Sequence, residues 1–440
     1  MRSATALLWA AGSLLPQLAV AQTEPTVDYS ATSSLHFYTG TKTAETTKNT
    51  EVPSGAYTTY TSKIALSNGD DSTATGTTDD DPSTTTSLTA SVSSSSTATT
   101  TGNGTVTSGV PAPTNTQPCN RYVELCSRKY SNVSNVGCHN SPFVRPGNSG
   151  SNQELSVTTQ LNDGVRFLQA QIQWPTNGTE PHFCHTSCDL LDAGPINDWL
   201  SLVADWVSKH PYDVVTILLG NGNYSTPDYY APYIQKSGIL KHAYEAPYLP
   251  MSLDDWPTLE EMIVRGKRVV MFMDYKANQT AYPWLHDQFA HMWETPFDPT
   301  DRAFPCTAQR PPDLSAESTR NSMYLINHNL NVEFNVFSTS LLVPAVSLLN
   351  ETNADSGYGS LGLAANNCRS DWGRNPTFLN VDYYNYGNRP GSVFEVAARL
   401  NNVTYDWNCC GKVSGAPAMA RVAPLATIVV PAALTALLLI

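Results

Sequence analysis

Histidines stand at or near the ends of short apolar runs in this sequence. His139 ends the run 133–139, and His185 lies in the run 182–186. A pair of imidazoles suits phosphodiester cleavage, because a neutral ring removes a hydroxyl proton while a protonated ring gives a proton to the leaving oxygen. Asp382 ends a further run and could orient His139. We therefore predict His139, His185 and Asp382 as the catalytic residues.

The apolar runs predict strands, and the amphipathic stretches between them predict helices. Residues 214–219 are apolar on both faces, as a buried parallel strand should be. Seven or eight strand-then-helix units favour an α/β fold, a (β/α)8 TIM-like barrel. An open doubly wound sheet is the alternative, but no glycine fingerprint follows the first run. The predicted strands are 133–139, 165–173, 182–186, 214–220, 269–274, 324–328 and 377–382, with one more near 239–240, and the predicted helices are 153–161, 196–208 and 259–265.

In such a barrel the active site forms from side chains at the carboxyl ends of the strands. A closed barrel places the last strand beside the first, which brings Asp382 next to His139. The strand ends offer Asp274 and Asp382 but no glutamate, which counts against a glycoside hydrolase, since these enzymes need two carboxylates about 5–9 Å apart. The further candidates at strand ends are Asn140, Gln169, Gln171, Asn221, Asp274, Tyr275, Lys276, His328, Tyr383 and Tyr384.

Charge and cysteine content limit the function classes. The chain has 440 residues and a formal net charge of −13, with no basic stripe, so nucleic acid is not an expected partner. All nine cysteines lie between Cys119 and Cys410, which predicts several disulfides in an oxidising compartment, with the connectivity open and one thiol left over. Cys184 and Cys188 have the spacing of some metal sites, but no second ligand pair lies nearby, so we do not expect zinc.

The two ends of the chain predict a secreted, lipid-anchored protein at the cell surface, on the outer plasma membrane or in the cell wall. Residues 1–21 have the features of a signal peptide. Residues 411–440 contain small residues, a spacer and an apolar tail, which is the layout of a GPI-attachment signal; a plain tail anchor is the alternative. Residues 22–118 are rich in Ser and Thr and predict a disordered stalk, because they offer little apolar surface to bury. The folded domain is predicted at 119–410.

Four stretches of this domain resemble the X domain of phosphatidylinositol-specific phospholipases C, within the wider superfamily of phospholipase C-like phosphodiesterases. The likeness is greatest to secreted, GPI-anchored fungal members with a Cys-His-Thr-Ser-Cys sequence in the third strand. The resemblance implies an irregular (β/α)8 barrel, a phosphodiester lipid or glycan-phosphate substrate, His139 as general base and His185 as general acid. The stretches are Gly-Cys-His-Asn-Ser at 137–141, Leu-Asn-Asp-Gly-Val-Arg-Phe-Leu at 161–168, His-Phe-Cys-His at 182–185 and Pro-Tyr-Asp-Val-Val-Thr-Ile at 211–217.

The sequence departs from the family pattern around the phosphate. Calcium-dependent members carry acidic ligands where this chain has Gln169 and Gln171, so we expect no cofactor and do not favour calcium. Metal-free bacterial members carry an Asp and an Arg where this chain has Asn140 and Gln171. We predict Asn140, Gln169 and Gln171 as substrate-binding residues. Lys276 and Arg145 are the candidates to replace the missing positive charge.

Three functions from different classes remain open on the sequence. The first is a phosphoric diester hydrolase that acts in lipid metabolism at the cell surface through His139 and His185. The second is a catalytically degenerate barrel that serves as a cell-wall or adhesion module on its stalk. The third is a glycoside hydrolase.

Overall fold

The computed structural model describes residues 57–66, 117–336, 339–407 and 409–411. These residues belong to one unit, Thr43–Ile440; the other unit, Met1–Lys42, lies outside the described residues. The predicted signal peptide, most of the predicted stalk and the predicted GPI signal beyond residue 411 also lie outside them. Within the described ranges, no helix has the length and apolar character needed to span a membrane.

The described residues alternate between short strands and helices. The strands are β1 (Ile64–Ala65), β2 (Asn135–Cys138), β3 (Phe167–Gln173), β4 (His182–His185), β5 (Leu191–Pro195), β6 (Val215–Asn221), β7 (Tyr248–Leu249), β8 (Val269–Met273), β9 (Leu285–Asp287), β10 (Met292–Glu294), β11 (Met323–His328), β12 (Asn331–Val336), β13 (Thr339–Pro344) and β14 (Phe378–Val381). The helices are α1 (Val157–Asp163), α2 (Ile196–Lys209), α3 (Ala231–Lys236), α4 (Leu259–Val264), α5 (Gln288–His291), α6 (Ala316–Asn321), α7 (Leu349–Thr352), α8 (Leu361–Trp372) and α9 (Val393–Leu400).

Eight strands form a curled parallel sheet in the order β10-β11-β14-β2-β3-β6-β8-β9. If the two ends of this order are joined into a circle, the eight strands follow one another in the order of the chain. This is the topology of a (β/α)8 barrel. The circle has one break, because no ladder between β9 and β10 is found among the described residues. The predicted α/β barrel-like fold is confirmed, with a seam at β9 and β10.

The inside of the barrel is apolar at one end and polar at the other. Alternate residues of a strand face the same side, and the inward-facing set near the amino ends packs as an apolar cluster that includes Phe167, Leu218, Phe272, Leu325 and Phe378. One or two pleats further along the same faces stand polar residues, namely His139, Gln169, Asp274, Glu294, Asn327, Asn380 and Asp382. The apolar layer supports the barrel, and the polar layer forms its mouth.

Two helices on the outside match predicted segments: α2 matches 196–208, and α4 matches 259–265. On α2, Trp199, Leu200, Val203 and Val207 are buried against the sheet, as the apolar spacing of 196–208 predicted. The predicted helix 153–161 is shifted, because the Ser156 side chain accepts a hydrogen bond from Thr159 N and so caps the start of α1.

Three details of the strand prediction are wrong. β4 pairs antiparallel with β3 and with β5, so the run 182–186 is not a barrel strand. The residues near 239–240 form a 3-10 helix, Ile239–His242. The barrel strands β9 and β10 were missed, because each has three residues and only the four residues of α5 separate them, which is too short for a readable period.

Disulfides connect eight of the nine cysteines, and the remaining thiol is the buried Cys138. The bond Cys184–Cys188 joins the two cysteines that have metal-site spacing. The pairs are Cys119–Cys126, Cys184–Cys188, Cys306–Cys368 and Cys409–Cys410.

Residues 57–66 lie inside the segment predicted as a disordered stalk, and here the structure differs from that prediction. β1 pairs antiparallel with β7, and Leu66 N donates to Pro247 O at 3.0 Å. Tyr60 OH donates to Asp287 Oδ2 at 2.8 Å. The apolar and aromatic side chains of this short stretch are hidden in the average composition of the longer Ser/Thr-rich segment.

Candidate active site

His139 and Asp382 form a buried pair at the carboxyl ends of neighbouring strands. The register pairs Cys138 of β2 with Val381 of β14, so the residue that follows each of them lies beside the other. His139 Nδ1 lies 2.8 Å from Asp382 Oδ1. Because an ionised carboxylate only accepts, Nδ1 is the donor, and the lone pair of Nε2 is left to act as a base. The catalytic roles of both residues stay predictions.

Two asparagines that the sequence analysis missed complete the surroundings of this pair. Asn152 Nδ2 donates to Asp382 Oδ1 at 2.9 Å, so two donors hold that oxygen. Asn329 Nδ2 lies 3.4 Å from His139 Nε2. His139 is only 4% exposed, and the Asn329 amide lies against its Nε2. Asn152 lies on the loop after His139 but is far from Asp382 in sequence, so only the fold shows that it contacts the carboxylate.

His328, the other histidine at a predicted strand end, is not part of this site. On β11, Leu325 and Asn327 face the barrel interior, and the alternation of the strand turns His328 outward. Its Nε2 donates to Thr352 O at 2.9 Å, and burial lowers its pKa to about 4. His328 is a neutral core residue.

A left-handed backbone residue follows each of the three predicted catalytic residues. These are Asn140 after His139, Thr186 after His185 and Tyr383 after Asp382, with φ of 49°, 61° and 43°. Asn tolerates this conformation, but a β-branched Thr adopts it at a cost. The sharp turns end each strand at the mouth and fix the direction of the preceding side chain.

His185 does not lie on the third barrel strand, where it was predicted. It ends β4, which turns back from the end of β3 instead of standing as the third barrel strand; that position belongs to β6. The Cys184–Cys188 disulfide closes the turn around it. The local structure therefore holds His185 in a short covalent ring next to the mouth.

The loop between β2 and α1 contacts the surroundings of both histidines. The Phe143 ring meets the His185 ring edge-on, with centroids 5.4 Å apart. A Cβ atom on Gly150 would lie 3.7 Å from His185 Nδ1, an ordinary van der Waals contact, so the Gly150 backbone lies next to the His185 ring. The same loop carries Asn152 next to His139. One loop thus joins the two predicted catalytic histidines.

Burial sets the charge of His185. Removal from water lowers its pKa to about 4, and a positive charge on His139 lowers it further. The two rings therefore lie close enough to interact electrostatically. At pH 7 His185 is neutral in the free protein, so it needs a bound anion before it can carry the proton of a general acid.

The predicted substrate-binding amides line the wall formed by β3. Gln169 Oε1 accepts from Asn380 Nδ2 at 3.1 Å and from the backbone N of Asn140 at 3.4 Å. Gln171 lies one pleat nearer the mouth, half-buried, and its Oε1 accepts from Gln173 Nε2 at 3.3 Å. These groups are neutral and can both donate and accept. The structure brings Asn140, Gln169 and Gln171 together on the His139 side.

The two predicted cations lie on the rim. Lys276 is exposed, with a left-handed φ of 60°, two residues after Asp274 at the end of β8. Arg145 is half-buried on the loop after β2, and its carbonyl oxygen accepts from Ser151 Oγ at 2.7 Å. Neither side chain is placed against His139 by a described contact, so their phosphate-binding role stays a prediction.

A buried charge cluster that the sequence analysis missed occupies another part of the mouth. Arg310 donates from Nη1 to Glu294 Oε2 at 2.9 Å and from Nη2 to Tyr275 OH at 2.8 Å, with Asp274 Oδ2 at 3.5 Å. Burial opposes the charge of Arg310, yet Glu294, Tyr275 and Asp274 raise its pKa well above the ordinary value. Burial also raises the pKa of Asp274 to about 6. The expectation of no glutamate at a strand end is wrong, since Glu294 ends β10, but Arg310 already pairs with it.

Metal-ligating side chains converge at one point of the described residues, at Asp163 with Cys409 and Cys410. The two cysteines are bonded to each other, so they cannot supply thiolates. Around His139 the side chains are amides and a single carboxylate already bonded to the ring. The residues present therefore do not form a hard-cation site of the kind that calcium prefers.

The fold and the site define a class: a parallel barrel-like enzyme scaffold with a His–Asp pair at the carboxyl ends of two neighbouring strands and a second histidine on an antiparallel strand beside them. Comparison with known proteins names the family. The PI-PLC X 1 family model matches residues 125–401, and the chain belongs to this family. Membership supports a phosphodiesterase of the phospholipase C class.

Two relatives from Arthroderma benhamiae are similar over much of their length. One, named "Uncharacterized secreted protein", is 48% identical over 409 residues, which cover 92% of this chain and 90% of the relative. The other, "PI-PLC X domain-containing protein 1", is 41% identical over 271 residues, 61% of this chain and 86% of the relative. The name of the first relative supports secretion.

Two solved structures found by the comparison are bacterial phosphatidylinositol-specific phospholipases C. A mutant phosphatidylinositol-specific phospholipase C from Staphylococcus aureus has a TM-score of 0.43 at 12% identity, and covers 63% of this chain and 95% of its own. The enzyme from Listeria monocytogenes has a TM-score of 0.41 at 13% identity, and covers 64% and 96%. At these values we draw no residue-level inference from them.

Proposed function

We propose that the protein is a phosphoric diester hydrolase of the phosphatidylinositol-specific phospholipase C type, which acts on a lipid or glycan phosphodiester at the outer cell surface. The observation that carries this proposal is the 2.8 Å contact between His139 Nδ1 and Asp382 Oδ1 in a domain of the PI-PLC X family. It orients an imidazole base at the mouth of the barrel.

In the proposed first step, His139 Nε2 takes the proton from an attacking hydroxyl group. The oxygen then bonds to phosphorus, and the bond from phosphorus to the leaving oxygen breaks. Asp382 accepts from the ring Nδ1–H and stabilises the imidazolium that forms. Asn329 can turn its amide, so that its oxygen accepts from the protonated Nε2; this oxygen is buried without a hydrogen-bond partner.

In the same step, His185 gives a proton to the leaving oxygen. Its low pKa means that the bound phosphodiester anion must first favour the imidazolium form. The amides of Asn140, Gln169 and Gln171 supply neutral donors for the phosphate oxygens. Lys276 and Arg145 add positive charge from the rim.

Purified protein tests this function directly. We expect it to cleave phosphatidylinositol faster than a generic phosphodiester, with release of a phosphorylated headgroup. If wild-type protein cleaves neither compound at any pH between 4 and 8, the proposal fails and the non-catalytic module is the better interpretation.

We predict that the activity does not need calcium. The amides at Gln169 and Gln171 offer no charge, whereas tight calcium sites use about six to eight oxygens with several carboxylates. Addition of EGTA should leave kcat/KM unchanged within error, measured before and after dialysis against the chelator. Loss of activity with EGTA, restored by calcium and not by magnesium, would contradict this prediction.

We also predict a GPI anchor on the mature protein. The apolar stretch 422–440 follows small residues and a spacer, so its removal and replacement by lipid is expected in the secretory pathway. Treatment of membranes with a bacterial phosphatidylinositol-specific phospholipase C should move the protein to the soluble fraction. Mass spectrometry that finds the intact peptide ending at Ile440 on the mature protein would instead show a tail anchor.

A further inference from the structure

We infer that residues 57–66 have a structural and a functional role in the barrel. They cover its seam at β9 and β10, and they support the Tyr275–Arg310 wall of the mouth. This segment lies well before residue 125, where the family match begins. The structural half of the inference stands on contacts alone. Only its effect on activity rests on the proposed function.

The seam is a place where the barrel needs cover. β9 is the last strand of the sheet path and β10 the first, and α5 connects them. A strand without a neighbour on one side exposes backbone groups to water or to other chains, and proteins cover such edges with a loop or another segment. Residues 57–66 contact β9 through Asp287 and α5 through Phe289.

Near the mouth, two tyrosines hold the segment against β9 and α5. Tyr60 OH donates to Asp287 Oδ2 at 2.8 Å, and Asp287 is the last residue of β9. The Tyr57 ring meets Phe289 of α5 edge-on, with centroids 4.8 Å apart. Asp287 is buried, and burial raises its pKa to about 6. The hydrogen bond from the Tyr60 hydroxyl stabilises the carboxylate, whose burial without a partner is unfavourable.

Tyr57 also connects the segment to the buried charge cluster. Its ring lies 5.7 Å from that of Tyr275, and the two hydroxyl oxygens are 3.4 Å apart. Tyr275 OH accepts from Arg310 Nη2 at 2.8 Å, and Arg310 pairs with Glu294 at the end of β10. Tyr57 is therefore the outer member of a chain of contacts that crosses from one side of the seam to the other.

At the other end, backbone pairing fixes the segment. Ile64 and Ala65 form the two-residue ladder with Leu249 and Tyr248, and Leu66 is 8% exposed. Lys63 Nζ donates to Asp255 Oδ2 at 2.5 Å, a solvent-exposed contact that adds little energy. The contacts therefore extend along the whole length of the segment.

Hydrogen exchange on the full-length protein tests the docking. The backbone N–H of Leu66 donates to Pro247 O. The amide hydrogens of peptides that contain Leu66 should therefore exchange about tenfold or more slowly than those of an unfolded chain. The double variant Tyr57→Ala/Tyr60→Phe should remove this protection and lower the melting temperature by a few degrees. Thr59→Ala, an exposed position between the two tyrosines, is the matched control and should change neither.

Activity of the same variants tests the second half of the inference. The double variant should raise KM by several fold and leave kcat within about twofold, because it loosens the Tyr275–Arg310 wall and leaves His139 and Asp382 in place. Exchange of residues 57–66 at the unfolded rate in the wild-type protein would overturn the docking. Normal protection with an unchanged KM in the double variant would overturn the role at the mouth. If wild-type protein has no activity, the proposed function fails, and exchange still decides the docking.

Discussion

Replacement of His139 by alanine is expected to reduce kcat/KM toward phosphatidylinositol by about 10²–10⁴-fold, the usual contribution of a general base. Asp382 holds the ring at 2.8 Å and leaves Nε2 as the base of the proposed step, so alanine removes that base. Steady-state rates on phosphatidylinositol and on a generic phosphodiester measure the loss. Both substrates should lose activity, because both need the same deprotonated nucleophile.

A second variant separates chemistry from folding. Alanine at 139 leaves the buried Asp382 carboxylate without its ring partner, which destabilises a protein by several kcal/mol in comparable cases, about 3–5. His139→Asn keeps an amide that can donate to Asp382, and it should be as inactive as alanine but closer to wild type in melting temperature. Asp382→Asn should lose less activity than either, since its amide oxygen still accepts from the ring and only the negative charge is gone.

The chain supplies a matched control for this experiment. His182 Nδ1 lies 2.8 Å from Asp192 Oδ2, which is the same type of pair on the strand that carries His185. It is about one fifth exposed and is assigned no role in the reaction. His182→Ala should keep wild-type kcat/KM. Equal activity in His139→Ala and wild type would remove the proposed function of this barrel.

The barrel could be predicted from the sequence because its longer strands have a clear pattern. The runs around Leu218 and Phe272 are apolar on both faces, the run around Phe167 alternates apolar and polar residues, and the residue after such a strand is at the mouth by the rules of the fold. His139 and Asp382 follow two four-residue strands that are neighbours in the barrel, so their proximity was foreseeable from the barrel itself. The prediction needed only the rule that the last strand of a closed barrel lies beside the first.

The remaining features depend on contacts that no local pattern encodes. β9 and β10 are too short to show a period, and Glu294 was missed with them. Asn152 and Arg310 lie on loops, where a polar residue looks the same in sequence whether it faces solvent or a buried carboxylate. Tyr57 and Tyr60 lie in a segment that was predicted as a disordered stalk. In each case tertiary pairing, and not propensity, decides the position.

The second large effect is expected from His185, and its signature is a displaced pH optimum. Only the imidazolium form can donate a proton, and burial lowers the pKa of His185 to about 4 in the free protein. Above that value its protonated fraction falls about tenfold per pH unit. Because kcat/KM reports the free enzyme, its optimum should lie on the acid side of about 6.5, the ordinary imidazole value.

The optimum of kcat should lie at higher pH than that of kcat/KM, because a bound phosphodiester anion next to His185 favours the imidazolium and raises its pKa in the complex. His185→Ala should lower kcat by about 10²–10⁴-fold and flatten the alkaline limb of the profile, since that limb reports loss of the acid. His182→Ala on the same strand should leave both profiles unchanged. Selective labelling of histidine rings, followed by an NMR titration of wild type and His185→Ala, identifies the resonance that titrates near pH 4. An optimum of kcat/KM above pH 7, or an alkaline limb that survives in His185→Ala, would assign the proton donor to a different group.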